Sequence, residues 1–496
     1  MQADKKKVAI IGACVGGITT AILLAQEGYK VDVYEKNPFA GGRCGQMTKD
    51  GHRFDIGATI LLMPSIYRKV FSQMGLDLDM LTECEPLNPI YRLYFSDGSQ
   101  FQFSQNQEEM ISQIETFEKG ATQKYKSYID EGYRFFQLGM GKLLGRNFYH
   151  LFQFINLRSL IAIIKLKAWV KHTDYISNFF SDHRLQKAFT FQNIYVGQNP
   201  YQQPAFFSML PGAEINEGAL FPKGGMHRIV TELHKHALNI GVNFHFNQEV
   251  TKLSTENGKI SSMTANGKSI QADIFVANAD LPYVYNQLLP FENATHRINK
   301  MKYSCSAMVF HWGVRKKYSQ LAHHSVFLCD PYKEGMDKIF NEKSLSSSPS
   351  FYIHAPATTD KDAAPGGEES LSVIIPMGHI DTKKYQNWEE LKSTTRKAVI
   401  KRLKETGMTD IEENIKFEIC FTPKTFESYC HVARGAVFGS ISHTLLQMGY
   451  FRPHNQHRKF KNLYFTGGST HPGNGVPLVL LTALFTSQRI LKNNPS

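Results

Sequence analysis

The stretch Val8-Ala9-Ile10-Ile11-Gly12-Ala13-Cys14-Val15-Gly16-Gly17 decides the fold. Val8 to Ile11 is an apolar run suited to a buried parallel strand. Gly12 to Gly17 form a tight turn, and Ile18 to Glu27 read as a helix that Gly28 stops. Lys30 to Glu35 is the next strand. Strand, turn, helix and strand make a βαβ unit of about thirty residues. In such a unit the turn's amides and the helix N-terminus face a pyrophosphate, and the carboxylate ending the second strand bonds a ribose hydroxyl. Gly12, Cys14, Gly16, Gly17, Glu35 and the adjoining Lys36 are therefore candidate dinucleotide-binding residues.

Cys14 departs from the G-x-G-x-x-G pattern, which has glycine there. The middle glycine keeps a Cβ away from the phosphates. A cysteine is small enough to leave two outcomes open: binding with a slight shift, or a Rossmann-like turn that has lost its nucleotide.

Gly41-Gly42-Arg43 follows the second strand by a few residues. Paired glycines permit close main-chain approach, and the Arg43 guanidinium can pair with a phosphate through two donors. Phe54-Asp55-Ile56-Gly57-Ala58-Thr59 is a strand ending in a small-residue turn, so Gly42, Arg43, Gly57, Ala58 and Thr59 join the candidates. Near the other end, Asn462 to Thr466 is an apolar strand, followed by Gly467-Gly468-Ser469-Thr470-His471-Pro472-Gly473-Asn474-Gly475-Val476-Pro477. Gly467 and Gly475 allow close backbone passage, and a helix begins around Val476 and Pro477.

This C-terminal stretch closely resembles the signature of the bacterial phytoene-type carotenoid desaturases. Gln192 to Pro200, Phe221-Pro222-Lys223-Gly224-Gly225-Met226, Val276 to Asp280 and Tyr303 to Ser306 resemble further segments of that family. The resemblance runs from Val8 to about Leu491. It implies an α/β fold with a Rossmann-like FAD-binding domain of the glutathione-reductase/amine-oxidase type. That domain is assembled from 1–90, 210–295 and 445–496, with an α+β substrate domain from 91–209 and 296–444. It also implies FAD as cofactor, Gly467, Gly475 and Val476 against the flavin, and Val250 on the adenine end through its main chain. The other reading of Val250 is an ordinary structural valine.

The implied reaction introduces C=C bonds into a linear or partly processed carotenoid by hydride transfer to flavin. The substrate is of the phytoene or diapophytoene type, or a 1-hydroxy carotenoid desaturated at the 3,4 position. The scheme forces no strong acid or base, so no catalytic residue is assigned. Thr59, Tyr195, Asn199, Glu214 and His471 are the polar residues beside the matched motifs. Alternatives are a carotene cis-trans isomerase, an amine oxidase on the same fold, and a non-catalytic isoprenoid- or protein-binding relative. The electron acceptor, oxygen or a quinone, is left open.

The bulk composition fits this reading. The chain has 496 residues, 42% hydrophobic and 20% charged, with no low-complexity tract. That is long enough for two or three domains. The net charge is +12 and the pI about 9.1. No zinc-finger, RRM or KH pattern is present, which argues against nucleic acid. Seven scattered cysteines without a CxxC pair fit a reducing compartment and no structural metal.

The start leaves no room for a signal peptide, and no run of 18 uncharged apolar residues exists, so a cytoplasmic, peripheral-membrane protein is expected. Lys142, Arg146, Arg158, Lys165, Lys167 and Lys171 alternate with Phe152, Leu157, Ile164, Trp169 and other apolar residues, without one acid. That pattern suits an interfacial helix on anionic lipid. An internal helical pair with snorkelling lysines is the other reading.

Overall fold

Lys7–Ile11 is the central strand of a five-stranded parallel sheet. The spatial order is Asn243–His245, Lys30–Tyr34, Lys7–Ile11, Ile274–Ala277 and Leu463–Phe465. These strands come from three distant parts of the chain. Val8 to Ile11 and Ile274 to Ala277 are buried throughout, as apolar strands covered on both faces must be. In this computed structural model residues 6–290, 292–382 and 386–495 are described.

The helix Val15–Gln26 packs beside the sheet and against both His227–Asn239 and the C-terminal helix Val476–Asn493. It starts three residues before the sequence expectation, because Cys14 already occupies the N-cap with extended backbone. Its ten residues from Val15 to Leu24 are all buried, so it is a core helix rather than an amphipathic one.

A seven-stranded sheet forms the second layer, in the order Ile415–Phe421, Ser306–Val314, Glu369–Met377, Phe351–His354, His324–Phe327, Tyr91–Tyr94 and Gln100–Phe103. Its pairings are antiparallel except His324–Phe327 with Tyr91–Tyr94. One face packs on Trp388–Glu405 through Phe310, Trp312, Val373, Val399 and Leu403. The region from 107 to 190 is mainly helical.

Hairpins turn at Asp50-Gly51 and Asp97-Gly98 between the strands Gln46–Lys49 and His52–Asp55 and the strands Tyr91–Tyr94 and Gln100–Phe103. A third hairpin turns at Asn266-Gly267, but the apolar residues after it divide between two sheets. Ser269 to Phe275 is not one strand. Lys268–Ile270 closes a small antiparallel sheet, and Ile274–Ala277 crosses to the parallel sheet. Asp273 sits at the break, where its carboxylate accepts the Lys7 amide at 2.7 Å.

The basic stretch also differs from the single helix expected. It is a turn at Met140–Leu144 and two short helices, Leu151–Phe154 and Leu157–Lys165. Asn156 restarts the helix by accepting the Ser159 amide at 3.0 Å, an N-cap that the helical pattern had concealed.

Candidate functional site

Where the central strands end, the glycine turn is fixed from two sides. Gly12 has φ +97°, and a Cβ on Gly17 would lie 2.1 Å from the Gly12 carbonyl oxygen, so only glycine fits there. The Gly17 amide donates to Asn278 Oδ1 at 2.9 Å, and Asn278 Nδ2 donates to the Thr466 carbonyl at 3.3 Å. One side chain thus joins the turn to the ends of two neighbouring strands. A Cβ on Gly16 would meet Asn278 Nδ2 at 2.9 Å and Val479 Cγ1 at 3.0 Å, which brings the C-terminal helix against the same turn.

Cys14 lies beside Gly42, where an added Cβ would stand 3.4 Å from its Cβ and 3.5 Å from its Sγ. Burial pushes the Cys14 thiol up, outweighing the opposing pull of Arg43, so the thiol is neutral. Glu35 is buried at the end of its strand. It accepts the Ala13 amide on Oε2 and the Asn37 amide on Oε1, each at 2.9 Å. An ionised carboxylate has about four lone-pair directions, so two remain for another donor. Lys36 donates to the Ser428 carbonyl at 2.8 Å.

Arg43 organises the second wall. Its Nη1 donates to the Val437 carbonyl at 3.0 Å, and its Nη2 lies 3.8 Å from where a Cβ on Gly468 would stand. The two ends of the chain therefore meet at this guanidinium. A Cβ on Gly57 would be 2.2 Å from the Arg43 carbonyl oxygen, which makes this glycine obligatory, and Ala58 donates to that same oxygen at 3.3 Å. Thr59 turns inward and its Oγ1 lies 2.8 Å from the Tyr352 hydroxyl.

The C-terminal turn is held by Arg452, which lies outside the quoted motifs, and by Asp280, which ends one of them. Arg452 is fully buried and donates to the carbonyls of Ile441, Ser442, Gln447, Gly468 and Thr470. Asp280 accepts from the hydroxyls of Ser440 and Ser469 (the latter at 2.6 Å) and from the Ala433 amide at 3.1 Å. Gly475 caps the helix Val476–Asn493 with φ +85°. His471 is a buried loop residue whose Nε2 meets the Arg146 carbonyl at 2.8 Å.

A cleft open to solvent gathers many of these residues. Gly12, Cys14, Glu35, Lys36, Gly42, Arg43, Val250 and Gly467 line it, with Tyr283 and His431 beside Val250. Gly16 and Gly17 stand behind its floor, Gly57 to Thr59 continue beyond Arg43, and Gly475 and Val476 lie on the helix whose Val479 reaches the lining.

This geometry fits a dinucleotide. Gly12, Gly42 and Gly467 line the cleft with backbone alone, the Val15–Gln26 helix starts beside it, the Arg43 guanidinium borders it, and Thr466 Oγ1 and Asn474 Oδ1 are buried without a partner among the described residues.

Farther from the turn lies a buried polar cluster. Glu214 Oε1 accepts from Tyr195 at 2.7 Å and from Tyr91 at 3.3 Å, and Gln192 donates to its Oε2 at 3.4 Å. Burial pushes the Glu214 carboxyl up to about 8 against these donors. Asn199 is buried and closes its own turn by accepting the Tyr201 amide at 3.0 Å. All seven cysteines are free thiols.

Comparison with known proteins places these observations. A family model described as "Flavin containing amine oxidoreductase" matches residues 15–491. The chain is 34% identical over 520 aligned residues to a phytoene desaturase of Fusarium fujikuroi, covering 100% of this chain and 90% of that protein. It is 32% identical to a 4,4'-diapophytoene desaturase (4,4'-diaponeurosporene-forming) of Staphylococcus aureus, covering 98% of this chain and 99% of that one. Among solved structures, a putrescine oxidase variant superposes with a TM-score of 0.65 at 12% identity, covering 99% of each chain. That likeness establishes the fold.

Proposed function

The chain belongs to the flavin-containing amine oxidoreductase family, and from that premise we propose that it is an FAD-dependent carotenoid desaturase. The observation that carries this reading is likeness to desaturases along the entire chain, substrate-side segments included, rather than at the cofactor turn alone. The substrate is a long apolar polyene of the phytoene or diapophytoene type, or a later intermediate such as a 1-hydroxy carotenoid.

We assign cofactor binding to the residues picked out by sequence. Gly12, Cys14, Gly16 and Gly17 cradle the diphosphate, and Arg43 neutralises it. Glu35 offers its remaining lone pairs to a ribose, and Lys36 and Val250 border the adenine end. Gly57, Ala58, Thr59, Gly467, Gly475 and Val476 border the ring system. The segments 1–90, 210–295 and 445–496 then make the cofactor domain, and 91–209 and 296–444 the substrate domain.

When bound, the flavin supplies the hydride acceptor. The chain's own contribution is to hold a rigid polyene in register beside it and to exclude water. Tyr91, Tyr195 and Glu214 give the buried interior a neutral polar wall, because Glu214 keeps its proton at neutral pH. Such a wall does not attract a water column into an otherwise apolar space.

A substrate that resides in bilayers calls for a membrane-facing surface. Phe152, Leu157, Ile164 and Trp169 are 69%, 72%, 50% and 62% exposed. Leu445 and Leu446 are exposed as well, and Phe154 packs on Phe451, so the two segments form one apolar patch. Large exposed apolar patches mark interaction surfaces. The basic residues around this one favour anionic lipid. Among the described residues no helix is long and apolar enough to cross a membrane, so peripheral attachment is proposed.

Expression in cells that accumulate defined carotenoid precursors tests the reaction. Products lighter by two hydrogens per step support it. Unchanged mass with altered geometry would make the protein an isomerase, and a purified protein without flavin absorbance would overturn the reading.

A further inference from the structure

We propose that His323, His324 and His354 form a transition-metal site that takes a divalent ion of the zinc type, in the seven-stranded sheet beside Thr59. The site is independent of the reaction assigned above.

The backbone brings the three together. His324 and His354 are directly opposed residues on adjacent antiparallel strands, and His323 immediately precedes the first of them. One ring nitrogen from each of the three lies within 4.8 Å of the others, and all three residues are buried. His323 Nε2 and His354 Nε2 are 3.2 Å apart. Two imidazole nitrogens bound at about 2.0–2.1 Å to one tetrahedral ion stand about 3.3–3.4 Å apart, so this pair is already near chelating separation.

The outer partners point the same way. His323 Nδ1 is held by Thr359 Oγ1 at 2.7 Å. His324 Nδ1 is held by the Tyr352 hydroxyl at 2.6 Å, and that hydroxyl by Thr59 Oγ1 at 2.8 Å. A partner on Nδ1 fixes ring orientation and leaves Nε2 for a metal.

His324 Nε2 is buried with no hydrogen-bond partner among the described residues. A His323–His354 hydrogen bond alone leaves this nitrogen orphaned, and a shared ion satisfies one nitrogen of each ring, while His354 Nδ1 has no partner among the described residues. Burial also keeps the rings neutral, with His323 lowered to about 3 and the other two well below their ordinary value, so protons do not compete for the nitrogens.

The charged groups facing the cluster are Asp360 toward His323 and Arg53 toward His354. These two are paired with each other and add little net charge. The donor set is imidazole without carboxylate or thiolate, which suits zinc, copper, iron or nickel and not magnesium or calcium. A bound ion would staple two strands together and, through Tyr352, stiffen the Thr59 turn.

The test is elemental analysis of the untagged, flavin-loaded full chain purified without chelator. The expected content is about one transition-metal ion per chain. The H324Q/H354Q double variant should lose it by about tenfold or more while keeping its flavin absorbance. If that variant does not fold, the chelator-stripped wild type is titrated with Co2+ and examined by X-ray absorption, where three imidazoles per cobalt are expected. A wild type that neither carries metal nor takes up Co2+, a double variant with unchanged metal content, or cobalt bound by other ligands would each overturn the proposal.

Discussion

Asn278 accepts the amide proton of Gly17 at 2.9 Å, joining residues 261 positions apart in the sequence. The same side chain donates to the Thr466 carbonyl, so one amide group holds the glycine turn, the returning strand and the C-terminal strand together. The site's shape therefore depends on a residue that need not touch the cofactor.

Replacing Asn278 by Ala removes both bonds and opens space beside Gly16. A net hydrogen bond contributes about 1 kcal/mol, so FAD should bind about fivefold more weakly. Titration of flavin-free protein, followed by quenching of FAD fluorescence, measures this. Unchanged affinity would show that the turn keeps its form without the clamp.

Cys14 allows a sharper test of the departure from the glycine pattern. Its side chain packs beside Gly42 and lines the cleft. Cys14→Gly removes the Cβ from the phosphate path without disturbing the Gly17 contacts. FAD affinity should be equal or higher, with activity retained. In the parent chain, bound FAD should protect Cys14 from a maleimide relative to flavin-free protein. Mass-spectrometric mapping reads this, and equal labelling would place the dinucleotide elsewhere.

The parallel sheet and several residues that line the cleft were legible in the sequence because each needs a local pattern. Val8 to Ile11 is apolar throughout, and Gly17 and Gly57 stand where any Cβ would strike a carbonyl. What escaped reading is long-range. Asn278 and Asp280 fall in the quoted segment Val276 to Asp280, but nothing local gives their partners, and only the tertiary fold surrounds Arg452 with five carbonyls. The histidine cluster escaped for the same reason, since His323-His324 and His354 have no metal-binding spacing. The split of Ser269 to Phe275 into two sheets falls at Asp273, whose carboxylate accepts the Lys7 amide, a long-range contact.

Glu214 makes stability depend on pH in a definite direction. Burial pushes its carboxyl from the ordinary glutamate range up to about 8. Between the ordinary value, about 4.3 in an unfolded chain, and the raised one, the folded chain holds a proton that the unfolded chain releases. The contribution is complete below the unfolded value and is lost as pH rises through about 8. Raising the pH from about 6 to about 9 should cost on the order of 2 kcal/mol through this group. Glu214→Gln keeps a neutral partner for Tyr195 and should remove that component. Parallel denaturant midpoints for the two proteins check it, and identical pH slopes would refute it.

The membrane surface can be separated into its apolar and basic parts. Lys167 is paired with Glu131 at 2.7 Å, so its charge is partly spent within the fold. No ion pair is found for Lys165 or Lys171 among the described residues. Each basic residue near an anionic surface adds about 1 kcal/mol. Lys165→Glu with Lys171→Glu should therefore weaken binding to phosphatidylserine vesicles by at least tenfold, and added salt should mimic it. Phe152→Ser with Trp169→Ser should weaken binding to neutral and anionic vesicles alike, because it removes inserted apolar area instead of charge. Vesicle co-sedimentation at two salt concentrations distinguishes the two effects. If neither pair of substitutions changes the bound fraction, the patch around Leu157 is not where the protein meets the bilayer, and the polyene must enter by another face.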